Sequence, residues 1–165
     1  MTELFLNMNP TIEEAEFIAD NLKPAEFGLM RSVGVTPSDI CLRAIKESEY
    51  VYTINRDDGT PISLVGAAPL LFDKNTAIIW SMSTKEVNRT PIAFVKVIKK
   101  LIQEYCGLFS RIVSYAHEDN PQHKKFHLAL GLVPTDKKLT RPDGTVYRMF
   151  EIDTVKGLNE MYYAK

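Results

Sequence analysis

Apolar residues recur at the spacing of an α-helix in five segments of the chain, which predicts five helices. Four of these segments start at a polar residue followed by proline. The polar side chain can accept a hydrogen bond from a free backbone amide, and proline at the next position costs no intrahelical bond. The four pairs are Asn9-Pro10, Thr36-Pro37, Thr90-Pro91 and Asn120-Pro121. The fifth segment, Pro24 to Ser32, is predicted to be a short helix that ends near Gly34.

The helix after Pro91 has the most regular pattern and is predicted to end at Gly107. Its apolar residues share one face and are Phe94, Val95, Ile98, Leu101, Ile102 and Tyr105. Lysines occupy the opposite face and are Lys96, Lys99 and Lys100. With Lys124 and Lys125 they are candidates for a nucleic-acid surface, but lysines on the outer face of an amphipathic helix usually only solvate it.

Runs with an alternating or continuous apolar pattern predict seven strands. The runs are Phe5–Met8, Tyr50–Arg56, Pro61–Phe72, Ala77–Met82, Ser110–Ala116, Val133–Lys138 and Thr145–Asp153. Three sequential strands favour an antiparallel meander, and the strand-helix-strand unit from Ala77 to Ala116 favours one right-handed parallel crossover. The predicted fold class is therefore α/β (α+β), with a mixed, mostly antiparallel central sheet and helices on both of its faces.

The composition is that of an ordinary globular chain. The sequence has 165 residues, of which 45% are hydrophobic and 25% are charged. We expect one domain over residues 1–165, in which the C-terminal tail 154–165 is a candidate docking segment. The formal net charge of −1 argues against nucleic acid as a partner held by overall charge.

Two further features bear on the compartment. No apolar run is long enough to cross a bilayer, and Met1–Asn9 lacks the basic residues of a secretory signal, so we expect no membrane segment and no secretion. Cys41 and Cys106 lie far apart and do not form a metal-binding spacing. We expect both cysteines to be reduced, buried and structural.

The segment Asn120–Leu132 carries the most specific motif. It is predicted to be a helix with the apolar residues Phe126, Leu128 and Leu130 and a stop at Gly131. Its Asn120, His123, His127 and Gly131-Leu132 stand where one enzyme family commonly has Asn, Ala, Tyr and Gly-Phe. Together with the element order, the motif resembles the GCN5-related N-acetyltransferase (GNAT) fold over nearly the whole chain.

Two shorter segments resemble a subgroup of that fold. Ile79–Met82 and His117–Asn120 are similar to the corresponding segments of the acetyltransferase-like internal virion proteins of short-tailed bacteriophages. This resemblance implies a protein of the virion or of the host cytoplasm.

The GNAT resemblance implies an acyl-CoA site at the start of the helix after Pro91. In that family, backbone amides of a glycine-containing loop hold the cofactor's pyrophosphate. Asn88–Ala93 align with this loop, but Pro91 replaces its first glycine and offers no amide. The residues that the resemblance assigns to the cofactor are Met82, Arg89, Thr90, Ile92, Ala93 and Asn120. The alternative interpretation is a helix cap that binds nothing.

The resemblance also implies a general base and a general acid. Glu86, His117 and Glu118 are candidate bases near strand ends, and Glu118 is the one that we select. His127 aligns with the tyrosine that usually acts as the general acid in this family. A protonated imidazole has a pKa that suits the same role. The alternative is a histidine that is merely packed or solvated. We expect no metal site, because His123 and His127 lack a carboxylate at the spacing of a metalloprotease motif.

Three functions follow from these features. The first is a phage protein with an acetyltransferase-like fold, degenerate in catalysis, that acts as a virion, assembly or interaction component. Such a protein would need no cofactor and would bind virion or host proteins. It could also form a homo-oligomer. The second is an active N-acetyltransferase that uses acetyl-CoA on a protein or small-molecule amine. The third and weakest is a binder of nucleic acid or a host factor.

Overall fold

The computed structural model describes residues 3–24 and 34–152 of the chain. The strands are β1 (Leu4–Asn7), β2 (Tyr50–Arg56), β3 (Pro61–Pro69), β4 (Thr76–Ser83), β5 (Arg111–His117), β6 (Val133–Thr140) and β7 (Val146–Ile152). The helices are α1 (Ile12–Asp20), α2 (Pro37–Glu47), α3 (Pro91–Cys106) and α4 (Pro121–Ala129), with a 3-10 helix at Lys85–Arg89. All seven predicted strands are confirmed. The predicted helix Pro24 to Ser32 lies almost wholly outside the described residues.

The strands pair in the order β1-β2-β3-β4-β5-β7-β6. β2 pairs antiparallel with β3, as the predicted meander requires, and β6 pairs antiparallel with β7. The predicted parallel pairing of β4 with β5, in which Ala77 lies opposite Ile112, is confirmed. β5 and β7 are antiparallel, which places β7 between β5 and the edge strand β6. The pairing of β6 with β7 shifts register between Pro134 and Lys138.

The described residues form two compact units. The first unit contains the described parts of Met1–Ala68 and Trp80–Phe94, and the second contains Pro69–Ile79 and the described part of Val95–Lys165. The single domain over residues 1–165 stays a prediction. The predicted docking tail 154–165 lies outside the described residues.

Helix α1 begins two residues later than the Asn9-Pro10 pair predicts. Thr11 is the residue that caps it, because the Thr11 hydroxyl accepts from the Glu14 amide at 3.1 Å and the Glu14 carboxylate accepts from the Thr11 amide at 3.0 Å. This reciprocal pair is a capping box, so the start predicted at Pro10 is wrong. At α2 and α4 the predicted caps are confirmed, since Thr36 accepts from the Asp39 amide and Asn120 from the His123 amide.

The Glu14 carboxylate also joins α1 to the first two strands. It accepts hydrogen bonds from Asn7 on β1 and from Thr53 and Asn55 on β2, the last two at 2.8 Å. Burial raises the pKa of Glu14, but hydrogen bonds from Asn55, Thr11, Thr53 and Asn7 outweigh that effect and leave the pKa below its ordinary value. Glu14 therefore remains a carboxylate that holds three elements of the first unit together.

Burial along α3 matches the prediction, whereas burial along α4 does not. On α3, Phe94, Ile98, Leu101, Ile102 and Tyr105 are buried. On α4, Leu128 is 54% exposed and His127 is buried in its place. The apolar pattern of so short a helix was a poor guide, because the position that faces the sheet is filled by a histidine whose ring nitrogens are both hydrogen-bonded. Cys41 and Cys106 are buried, as predicted.

Strand β3 ends at Pro69, three residues before the predicted end at Phe72. A compact turn follows, in which the Leu70 amide donates to the Thr76 carbonyl at 2.9 Å and the Asp73 amide donates to the Leu70 carbonyl. These bonds close the turn before the apolar run is finished, so Leu71 and Phe72 lie in solvent.

Gly66 of β3 lies where no side chain fits. A Cβ atom at this position would be 2.5 Å from the Tyr50 carbonyl oxygen and 2.6 Å from Cζ2 of Trp80. The backbone and the partly buried ring cannot both move away cheaply, so the indole of Trp80 packs against the strand only because residue 66 is glycine.

We expect Gly66→Ala to lower the free energy of unfolding by about 1–3 kcal/mol, the usual cost of inserting a methyl group into a packed site. Chemical denaturation measures it. Gly107→Ala is the matched control, because its Cβ would meet a single carbonyl oxygen at 3.3 Å and should cost less. Equal stability of Gly66→Ala and the unsubstituted chain would contradict this packing.

Candidate functional site

The start of α3, in the first unit, has an unusual set of free polar groups. Pro91 is the first helical residue and has no amide hydrogen. The Phe94 amide makes the first intrahelical bond, to the Thr90 carbonyl at 2.9 Å. The amides of Ile92 and Ala93 precede that bond and have no partner within the helix. The helix therefore offers two backbone donors at its positive end, where an anion is favoured.

Thr90 does not cap the helix, so the cap predicted at Thr90-Pro91 is wrong. Its Oγ1 atom is buried and has no hydrogen-bond partner, although the residue as a whole is only half-buried. Its amide instead donates to the Val87 carbonyl at 3.3 Å, which ends the 3-10 helix. Because the preceding 3-10 turn fixes the backbone at Thr90, its hydroxyl does not reach the amides that it was expected to cap.

Charge near this helix start is arranged around Glu86. The Glu86 carboxylate accepts from Arg56 at 2.8 Å and lies 3.4 Å from Arg89. The Arg89 side chain is 72% exposed, so it can turn toward an anion in solvent. Glu86 was one of the candidate bases, and its carboxylate is paired with these two arginines.

The remaining residue assigned to the cofactor in the first unit is Met82. Its side chain is buried in the core, with Sδ 3.9 Å from Sγ of Cys41. Its carbonyl oxygen accepts from the Ser63 hydroxyl at 3.2 Å. The side chain of Met82 therefore serves the packing of the first unit.

His127, in the second unit, is 4% exposed and hydrogen-bonded through both ring nitrogens. Nδ1 lies 2.9 Å from the His123 carbonyl, and Nε2 lies 2.9 Å from Ser114 Oγ. A carbonyl can only accept, so Nδ1 carries the hydrogen, and in the neutral ring Nε2 is left as an acceptor. The one hydrogen of the Ser114 hydroxyl is shared between Nε2 and the Ile79 carbonyl, which lies 3.3 Å from Oγ. Burial lowers the pKa of His127, and the bond to the His123 carbonyl offsets this only in part. A neutral, occupied imidazole is poorly suited to donate a proton.

Glu118, at the end of β5, is held by a cation on each side. Arg148 of β7 donates to both carboxylate oxygens through Nε and Nη2, with Nη2 at 3.0 Å, and Lys124 lies 3.6 Å away. The hydrogen bonds from Arg148 lower the pKa of Glu118. Such a fork fixes the carboxylate in its charged form, which weakens it as a base.

Glu118, Asn120 and His127 all lie in the second unit, whereas Met82, Arg89, Thr90, Ile92 and Ala93 lie in the first. The Asn120 side chain is engaged in capping α4. The roles assigned to these residues stay predictions. The described residues contain no group of three or more His, Cys, Asp or Glu side chains arranged to hold a metal ion, and none of their helices is long and apolar enough to span a membrane.

Sequence reasoning missed two residues of this region, Ser114 and Arg148. Ser114 is the one serine of β5, and Arg148 is the one cation within the apolar end of β7. A lone polar residue in an otherwise apolar strand needs a partner once buried. The sequence therefore indicates that Ser114 and Arg148 need partners, but it does not identify those partners.

The comparisons with known proteins agree on the fold. A GNAT-family acetyltransferase from Bacillus anthracis superposes with a TM-score of 0.72 at 7% identity, covering 93% of this chain and 96% of that one. A chimera of the Vibrio cholerae spermidine N-acetyltransferase SpeG and hSSAT gives a TM-score of 0.70 at 14% identity, covering 95% of this chain and 99% of the other. No protein-family model and no curated protein sequence matches the chain. The chain has a GNAT-like fold, and its mixed, mostly antiparallel sheet confirms the predicted fold class.

We expect the low pKa of His127 to appear in the pH dependence of stability. In the unfolded chain a histidine titrates near pH 6.5, whereas the folded chain binds that proton only at lower pH. The unfolded state then binds more protons, so stability falls as the pH drops below about 6.5. Denaturation at about pH 7.5 and about pH 5.5 should show a smaller loss in His127→Gln than in the unsubstituted chain.

The control for this experiment is Lys125→Gln, a substitution on an exposed position of the same helix. It should leave the loss unchanged, because lysine does not titrate in this range. An equal loss in His127→Gln and the unsubstituted chain would show that His127 is not buried in its neutral form.

Proposed function

We propose that this chain is a GNAT-fold protein that no longer transfers acyl groups efficiently and serves as an interaction component of a phage virion or its assembly. The observation that carries the proposal is Pro91 at the first position of α3. Proline removes one backbone donor and adds a ring at the place where the family's pyrophosphate approaches the backbone. The loss of a charge-assisted hydrogen bond to phosphate weakens binding at the charged diphosphate of the cofactor.

The state of the two candidate catalytic groups supports the same conclusion. Acyl transfer to an amine needs a base that takes up a proton and an acid that donates one to the leaving thiolate. The Glu118 carboxylate is fixed by Arg148 with a lowered pKa, and the His127 imidazole is buried, neutral and bonded on both sides. Each group is engaged in structure and would have to leave its partners before it could act.

The phage assignment rests on the likeness of Ile79–Met82 and His117–Asn120 to internal virion proteins. An interaction component needs exposed contact surface rather than an open cofactor cleft. The second unit has such surface, since Leu71, Phe72 and Leu128 are all more than half exposed.

Isothermal titration calorimetry with acetyl-CoA should show no binding to the unsubstituted chain. Pro91→Gly restores a backbone donor at the helix start and should gain affinity. Pro37→Gly makes the same change at the first position of α2 and should gain none. Micromolar affinity of the unsubstituted chain would contradict the proposal.

Mass spectrometry of phage particles purified on a density gradient should detect the chain at a constant ratio to the capsid protein. A protein of the host cytoplasm alone would be lost during purification. Its absence from intact particles, with full abundance in infected-cell lysate, would rule out a virion component.

The second candidate function is an active acetyl-CoA-dependent N-acetyltransferase. The observation in its favour is the two amides of Ile92 and Ala93, which have no partner within the helix, with Arg89 exposed just before them in the chain. These groups fit part of a diphosphate, whereas Pro91 does not. Bound acetyl-CoA would supply the acyl group, and the spermidine N-acetyltransferase among the similar structures makes an amine the acceptor to test. The calorimetry described above decides between the two candidates.

A further inference from the structure

The turn between β3 and β4 presents two large apolar side chains to solvent. Leu71 is 74% exposed and Phe72 is 97% exposed. Isolated exposed apolar residues are common, but an adjacent leucine and phenylalanine at the tip of a turn form the compact anchor typical of interfaces. We call Leu71 and Phe72 the apolar tip.

The backbone that carries the apolar tip is firmly held. The Asp73 carboxylate accepts from the Thr76 hydroxyl at 2.6 Å and from the Asn75 amide at 3.1 Å. The Asn75 carbonyl in turn accepts from the amides of Ser110 and Arg111, which lead into β5. A turn fixed in this way loses little conformational freedom when its tip is buried, so binding through it carries a low entropic cost.

The same unit contains an open groove of about 320 Å³ between α4 and the β6–β7 hairpin. Leu128, Pro134 and Phe150 supply its apolar lining. Leu128 is 54% exposed there, and Val133, next to Pro134 on the edge strand, is 55% exposed. The groove therefore has apolar surface that the chain itself leaves uncovered.

Three of the polar side chains around the groove, those of Arg148, Thr135 and Lys124, already have partners. Arg148 donates to Glu118 and, through Nη1, to the Thr135 carbonyl at 2.8 Å, and the Thr135 hydroxyl donates to the Met149 carbonyl. Lys124 lies against Glu118. An occupant would not have to supply polar partners for these groups, so an apolar side chain can enter without leaving a buried charge unpaired.

We propose that the apolar tip of one copy of this chain inserts into the groove of a second copy. Charge supports this occupant, since Asp73 and Lys74 follow the tip in sequence and the Lys74 ammonium can meet the Asp136 carboxylate, which lines the groove. Opposite charges can therefore meet at the rim of the contact. Insertion into a lipid bilayer is disfavoured by the same two residues, because it would carry Asp73 and Lys74 toward the hydrocarbon.

The contact joins two different surfaces, so it is heterologous, and each bound copy leaves one tip and one groove free. Copies linked in this way close into a ring or continue as an open chain. The contact does not involve the start of α3, so it holds whether or not the chain binds acetyl-CoA.

Sedimentation velocity over a range of concentrations tests the proposal. The unsubstituted chain should form species larger than a dimer as concentration rises. Phe72→Asp, which destroys the tip, and Leu128→Asp, which destroys the groove, should each remain monomeric. Met8→Asp is the matched control, because Met8 is 69% exposed but belongs to neither surface, and it should associate like the unsubstituted chain.

An equimolar mixture of Phe72→Asp and Leu128→Asp provides the decisive arm. One variant keeps a working groove and the other keeps a working tip, so the mixture should form a dimer and nothing larger. A monomeric unsubstituted chain, a mixture that stays monomeric, or association that only one of the two variants abolishes would overturn the proposal. Circular dichroism confirms folding of each variant, and vesicle flotation that Phe72→Asp abolishes would assign the tip to a membrane instead.

Discussion

The amides in the first turn of a helix have no hydrogen-bond partner within that helix. Which of these amides receive a partner from a side chain distinguishes the start of α3 from the starts of the other helices. Thr11, Thr36 and Asn120 each supply an oxygen to such an amide at α1, α2 and α4. At α3 none of the described side chains does so, because Thr90 is held by the preceding 3-10 turn. The helix start at which the resemblance to acetyltransferases implies a cofactor is thus the one that the described side chains leave uncapped, and it is also the one where Pro91 has removed a donor.

In the second unit, the two candidate catalytic side chains, His127 and Glu118, are both engaged in structural contacts. His127 fills a core position through bonds to Ser114 and to its own helix, and Glu118 joins β5 to β7 through Arg148. A buried histidine without partners would carry the desolvation cost of its ring nitrogens, and both bonds remove that cost. The hydrogen bonds that stabilise these two side chains also occupy the atoms that would have to take up or donate a proton. The observed contacts therefore favour stability over proton transfer.

Local chemistry explains which features the sequence predicted. Thr36-Pro37 and Asn120-Pro121 were correct because a cap needs only the few residues around it. At Asn9-Pro10 two capping signals overlapped, and Thr11 prevailed because Glu14 completes a capping box. Strand positions followed from apolar runs. The apolar run ending at Phe72 was misjudged because turn bonds by Asp73 outweigh its β propensity.

The site was less predictable, because its properties depend on residues that are distant in sequence. The sequence left His127 as a catalytic, a packed or a solvated side chain, and only its bond to Ser114, thirteen residues earlier, identifies it as packed. Arg148 lies thirty residues from Glu118, and no spacing rule connects a strand end to a strand two places further along the chain. Pairings of this kind depend on the order of the strands in the sheet. The sequence predicts the individual strands and gives their order only indirectly.

The irregular edge strand β6 has a consequence for crowded conditions. An uncovered strand exposes backbone donors and acceptors that can recruit any extended segment nearby. Pro134 lacks one donor, the register shift before Lys138 breaks the even spacing, and lysines project from what remains. At high local concentration, copies of this chain are therefore hindered from pairing edge to edge through β6 into fibrils.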